Sequence, residues 1–144
     1  MAVSFRMLEH GADDYRAMLA LRDLVLRKPL GLTLMATDIA GEEDEFLLGA
    51  FEEEVLVGCV LLVPRPNDAV KLRQMAVHPD RQGRGIGRGL VIFAEDFARR
   101  EGFRSVELNA RAAAAGFYQR LGYRTVGDAF TEVGIEHFRM EKDL

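Results

Sequence analysis

The chain has one cysteine, Cys59, in 144 residues. That excludes an intramolecular disulfide, and with it the small secreted scaffolds that depend on such staples. Cys59 lies inside the apolar run Val55 to Val63, where it reads as a small buried hydrophobe rather than a nucleophile. A basic excess is also missing: 19 Lys and Arg stand against 23 Asp and Glu, a formal net charge of −4. Phosphate polymers usually demand the opposite balance, so no nucleic-acid partner is expected. No apolar segment reaches the ~20 residues of a membrane-crossing helix, so no membrane is expected either. The N-terminal stretch carries Arg6, Glu9 and Asp13 and lacks a signal-peptide hydrophobic region, which makes the cytoplasm the expected compartment. Repeats and low-complexity segments are absent, and no metal site is indicated. What is present, 49% hydrophobic and 29% charged residues, is a globular balance. The length suits one domain over 1–144 with a full core.

Periodicity predicts a strand over Val3 to Leu8 and a helix over Asp13 to Arg27, ended by Pro29 and Gly31. The stretch Thr33 to Glu45 is ambiguous. Phe46 to Phe51 and Val55 to Val63 read as two strands joined by a solvated turn at Glu52, Glu53 and Glu54. Val70 to Val77 is the next strand, Gly83 to Gly89 a glycine-rich turn, and Leu90 to Arg100 a helix with Gly102 as its cap. A strand over Ser105 to Ala110 and a short helix over Ala112 to Leu121 come next, then strand candidates at Tyr123 to Phe130 and Ile135 to Glu141. This order predicts an α/β fold. Its mixed sheet of about six to seven strands has parallel pairing in the middle and helices on its faces.

The segment from Val77 to Leu90 holds Gly83, Gly85, Gly87 and Gly89 together with Arg81, Arg84 and Arg88. Glycines let the backbone approach a ligand closely. The helix after the loop offers unsatisfied N–H groups and a positive dipole end, and the arginines can pair with phosphate oxygens. The nucleotide-triphosphate loop requires Gly-Lys-Ser/Thr, which is not here. The dinucleotide fingerprint fails in both registers, because Arg88 and Leu90 stand where its third glycine belongs. By itself the loop is a phosphate site or merely a turn.

Gln82-Gly83-Arg84-Gly85-Ile86-Gly87 resembles the Gln/Arg-x-x-Gly-x-Gly/Ala motif of the GNAT superfamily of acetyl-CoA-dependent N-acetyltransferases. Phe117-Tyr118-Gln119-Arg120-Leu121-Gly122-Tyr123 resembles that family's Phe-Tyr-x-x-Leu-Gly-Phe/Tyr signature. The match runs from about Val55 to the C-terminus in the expected order. It implies a GNAT fold whose parallel strands, Val70 to Val77 and Ser105 to Ala110, splay to admit the pantetheine arm of acetyl-CoA. The resemblance also implies that the backbone around Met75 and Val77 holds the thioester end. The amides of Gly83, Gly85, Gly87 and Arg88, with Gln82 and Arg84 beside them, would hold the diphosphate. Asn109 matches the position whose amide bonds pantetheine, with a helix cap as its alternative reading.

Acyl transfer to an amine needs a neutral amine, a stabilised oxyanion and a protonated leaving group. The resemblance assigns the acid to Tyr118, expected to face the groove while Phe117 and Leu121 face the core. The family's glutamate position at the start of the fourth strand is Lys71 here, so the base is open among His137, Glu132, Glu136, Glu107 and water. Histidine as a residue type changes charge near neutral pH, which favours His137. Arg73, read as sharing a face with Met75 and Val77, could bind a substrate carboxylate or pair with Glu107. His78 reads as a loop residue without a role. The acceptor is an unidentified amine, on a small molecule or a protein. A non-catalytic acyl-CoA-binding module is the alternative, and a homodimer is left open.

Overall fold

The computed structural model describes residues 2–144. In chain order the elements are β1 (Ser4–Met7), α1 (Asp13–Arg22), β2 (Phe46–Glu52), β3 (Val55–Arg65), β4 (Ala69–Val77), α2 (Ile86–Arg100), β5 (Ser105–Arg111), α3 (Ala115–Arg120), β6 (Arg124–Thr125), β7 (Phe130–Glu132) and β8 (Ile135–Asp143). The eight strands form one sheet in the order β1-β2-β3-β4-β5-β8-β6, with β7 also paired to β8. Only β4 and β5 run parallel, as expected for two strands joined through a helix.

Strand alternation divides the core between two faces. Along β3, Val60 and Leu62 point towards α2 and meet Val70, Leu72, Leu90, Val91 and Leu108. Cys59 and Leu61 point the other way and meet Tyr15, Met18 and Leu21 of α1. Cys59 is fully buried, and burial pushes its thiol up to about 12, which suits the inert hydrophobe read from the sequence.

Three elements differ from the sequence-based expectations. The helix expected over 13–27 is α-helical only to Arg22, continues as a π-turn over Asp23–Arg27, and closes at Gly31 (φ 71°). α2 starts at Ile86, not Leu90, so Gly87 and Gly89 are helical rather than part of the turn. Gly89 is small for a packing reason: a Cβ there would lie 2.6 Å from the Phe5 ring of β1. The strand expected over Tyr123 to Phe130 is two short strands, β6 and β7, separated by a bend at Gly127 (φ 75°), which raises the count to eight.

The parallel pair determines where the site lies. β4 and β5 are in register only from Ala69 opposite Ser105 to Leu72 opposite Leu108. Beyond Leu72, β4 stays with β3, and beyond Leu108, β5 stays with β8, so the two strands part. At the parting β4 carries a bulge: Gln74 has φ 57°, and the register with β3 shifts between Cys59 and Leu61. A bulge inserts an extra residue and so reverses the facing of the residues beyond it. Val70 and Leu72 before it, and Met75 and Val77 after it, all pack on the α2 side. Arg73 is thereby placed on the α1 side, against Glu42 and Glu45, and does not share a face with Met75 and Val77 as the unbroken alternation predicted.

Candidate active site

The splay opens a cleft of about 390 Å³, lined by β4 from Lys71 to Met75, β5 from Leu108 to Arg111, Phe117 and Tyr118 of α3, and Glu132, Val133 and His137 of the β7–β8 hairpin. Tyr118 is 6% exposed. Its ring packs edge-on against Phe117 and Tyr123, with centroids 5.0 and 5.7 Å away. Among the described residues its hydroxyl makes no hydrogen bond. Burial raises the Tyr118 pKa above the ordinary phenol value, so the group is a neutral O–H at physiological pH. Phe117 lines the cleft beside it rather than turning wholly into the core.

Of the base candidates, the structure brings His137 and Glu132 together and leaves the other two out. His137 is 4% exposed, and its Nδ1 lies 2.8 Å from the Ile135 carbonyl, where it can only donate. Nε2 therefore faces Glu132, 3.4 Å away at the cleft edge. Glu107 is held outside the cleft by Arg65 (3.2 Å) and Arg139 (2.9 Å). Glu136 is exposed on β8 and does not line the cleft. The Arg73–Glu107 pairing is accordingly overturned, since Arg73 meets Glu45 at 3.4 Å and Glu42 at 3.8 Å. Asn109 lies within β5 on the cleft wall, opposite Arg139 of β8. It does not cap a helix: the residue preceding the turn at Ala112–Ala114 is Arg111, with no capping side chain.

The glycine loop is held from three sides. His78 Nδ1 accepts the Asp80 N–H at 3.1 Å, so His78 fastens the turn at Pro79–Arg81. Arg81 donates to Glu52, itself 5% exposed, at 2.9 Å, which ties the loop to β2 and occupies one of the arginines expected to meet phosphate. The Gln82 amide donates to the Val77 carbonyl at 3.1 Å. Gly83 and Gly85 have φ of 79° and 80°, a conformation that favours glycine, and a Cβ on either would point into open space. α2 begins immediately after Gly85, so the N–H groups of its first turn lack intrahelical acceptors. Arg84 and Arg88 are exposed beside them.

An anion cradle at one end and a parted strand pair at the other suit a long ligand with a diphosphate and an amide-bearing arm, as in coenzyme A. The buried Gln74 Oε1 at the parting has no partner among the described residues, a free acceptor at the cleft wall.

The sequence reading missed the charge network behind the cleft. Arg22 and Glu42, both fully buried, form a two-pronged pair at 2.7 and 2.8 Å, and Tyr15 donates to Glu42 at 2.8 Å. Burial opposes ionisation of Glu42, but bonds from Arg22 and Tyr15 and the charges of Arg22 and Arg73 outweigh it and hold its pKa below the ordinary carboxylate value. No local signal marks this pair, because Glu42 lies in an irregular stretch twenty residues from its partner.

An open mixed sheet, parted between its parallel strands beside a glycine loop and a helix N-terminus, is a fold shared with acyltransferases of known structure. A family model described as an acetyltransferase (GNAT) domain matches residues 28–144, and the chain belongs to that family. It is 30% identical over 125 residues to the "Putative acetyltransferase BSU40680" of Bacillus subtilis, covering 81% of this chain and 84% of that protein. A shorter match, 34% identical over 74 residues, covers 51% of this chain and only 50% of the uncharacterized protein YyaT of the same organism. Among solved structures, an acyl-CoA N-acyltransferase from Pseudomonas aeruginosa superposes with a TM-score of 0.85 at 22% identity, over 98% of this chain and 99% of that one. A B. subtilis acetyltransferase in complex with CoA superposes with a TM-score of 0.75 at 19% identity, over 99% of each chain. No helix among the described residues is long and apolar enough to cross a membrane.

Proposed function

We propose that this protein transfers an acetyl group from acetyl-CoA to an amine, by direct attack within a ternary complex. The observation that carries the reading is a neutral tyrosine hydroxyl, unpartnered among the described residues, at the floor of the β4–β5 parting. The fold shared with a CoA-bound acetyltransferase supports it. In this reading the amides of Gly83, Gly85, Gly87 and Arg88 hold the diphosphate, with Arg84 adding charge and Gln82 bracing the loop against Val77. The backbone at Met75 and Val77 receives the thioester end, and the Asn109 amide bonds the pantetheine arm. The amine nitrogen forms its bond to the acyl carbon as the carbon–sulfur bond breaks. Its proton leaves to water or to His137 Nε2, while Tyr118 gives its proton to the departing sulfur, a contribution of ~10²–10⁴-fold for a positioned acid. Cys59 takes no part, being fully buried with its thiol held protonated.

The test is an acceptor screen with acetyl-CoA that tracks thiol release, run beside calorimetric titration with CoA. Binding of CoA together with turnover of at least one amine class is the expected result. Binding without turnover of any amine would instead favour the acyl-CoA-binding module, and absence of binding would sink both readings.

A further inference from the structure

The protein is acidic overall, at −4, yet the cleft is lined by four cations: Arg27, Lys71, Arg73 and Arg111. Its one lining carboxylate, Glu132, stands exposed at the far edge, 3.4 Å from His137 Nε2. Arg73 is the only one of the four with a carboxylate in ion-pairing reach among the described residues, and its contacts to Glu45 and Glu42 are long, at 3.4 and 3.8 Å. Arg111 reaches across the cleft to the Leu26 carbonyl at 3.4 Å, a neutral acceptor that leaves its charge uncompensated. Arg27 and Lys71 have no ion pair at all among the described residues. All four are half-buried. Gathering like charges in a low-dielectric cleft is unfavourable until an anion enters, and such a cleft focuses the field that draws one in.

The proposed acyl donor does not account for these charges. Its thioester and pantetheine arm are uncharged, and the loop proposed for its diphosphate carries its own arginines; none of the residues from His78 to Gly89 lines this cleft. Lys71 and Arg73 also stand on the α1 side of β4, away from the α2 face that Met75 and Val77 share with the loop. They face away from the groups proposed for the donor, which leaves their charge to a second ligand.

Resting on the acetyl-transfer reading, we infer that the acceptor is a small amine carrying a carboxylate, an amino-acid-like molecule. Its anionic group would be held between Lys71 and the guanidinium groups of Arg27, Arg73 and Arg111, and its amine would be directed towards Tyr118. The cleft's volume of about 390 Å³, part of which the acyl arm at Met75 and Asn109 would fill, lies at the low end of small-ligand pockets, roughly 300–1,000 Å³, which favours a small molecule over a protein segment.

The experiment uses the full chain with acetyl-CoA and three matched series: free amino acids, their carboxamides, and the corresponding decarboxylated amines. The expected result is a kcat/KM for the best amino acid at least about 10-fold above that of its carboxamide, as a charge-assisted contact would produce. Lys71→Met and Arg111→Met should each shrink that ratio, chiefly through KM, with thermal melts confirming the fold. A protein that binds CoA but uses amides, plain amines or a lysine-bearing peptide as well as amino acids, or uses no amino acid at all, overturns the inference while the cofactor reading stands. Failure to bind CoA overturns both.

Discussion

The two faces of the sheet are built from different forces. The α2 face is mostly apolar, with Val70, Leu72, Leu90, Val91 and Leu108 interlocked and the buried Glu95 paired with Lys142 at 3.1 Å at its edge. The α1 face has an apolar half around Met18 and Leu61, but its other half is the buried pair Arg22–Glu42, with Tyr15 donating to the same carboxylate and Arg73 in ion-pairing reach of it. Apolar packing is non-directional, so volume-conserving changes on the first face should cost little. The other is a charge network, complete but for the unpartnered Arg22 Nε, whose members cannot be removed one at a time. The first face adjoins the glycine loop, and the second carries Arg73 at the cleft.

The largest expected effect breaks the network face. Arg22→Met should cost about 3–5 kcal/mol in chemical denaturation, because it strands a fully buried Glu42, and Arg22→Met with Glu42→Leu should recover most of that loss. If the single change costs no more than an exposed substitution, the pair is not the support of that face.

On the opposite face, Tyr118→Phe should lower turnover by about 10²-fold, the low end for a positioned acid. CoA affinity should hold, and so should stability, since the hydroxyl has no partner to lose. Near-normal turnover with chemistry rate-limiting would make Tyr118 a packing residue and leave the thiolate to solvent.

The glycines divide the loop further. Gly85→Val forces a β-branched residue into φ 80° and should weaken CoA binding sharply while costing about 1–3 kcal/mol of stability. Gly89→Ala should lower stability, because its Cβ meets Phe5 at 2.6 Å, and leave the loop conformation alone. Equal losses of CoA affinity in both variants would merge two roles that the geometry separates.

The smallest effect is in pH dependence. Glu42 has a lowered folded-state pKa, so its contribution is present above the unfolded carboxylate value, about 4.3, and is lost as pH falls through the folded value. Burial raises the pKa of Glu45, Arg73 opposing, so Glu45 acts with the opposite sign and its cost is relieved on acidification. Acid melts should therefore show a shallower loss below about pH 4.3 in the Arg22→Met, Glu42→Leu double variant than in the wild type, and Glu45→Gln should steepen the loss just above that pH, where the raised Glu45 takes up its proton. Parallel curves would mean that neither carboxylate is coupled to folding.

What the sequence by itself determined is whatever depends on neighbours along the chain. Strand alternation, the helical stripe of α2, the glycine loop and the Phe117–Tyr123 signature are local patterns, and they sufficed for the fold, the family and the parting of β4 from β5. The face of Arg73 was not legible, because one bulged residue at Gln74 reverses the alternation and nothing in the composition of β4 announces it. Nor was the role of Gly89, which depends on Phe5 more than eighty residues earlier, nor the division of Tyr123 to Phe130 at Gly127. Only the tertiary structure brought Arg22 to Glu42, His137 to Glu132, and Arg27, Lys71, Arg73 and Arg111 around one cleft. Ion pairs and pockets join residues from separate elements, and a charge in the sequence carries no mark of the partner it will meet when the sheet closes.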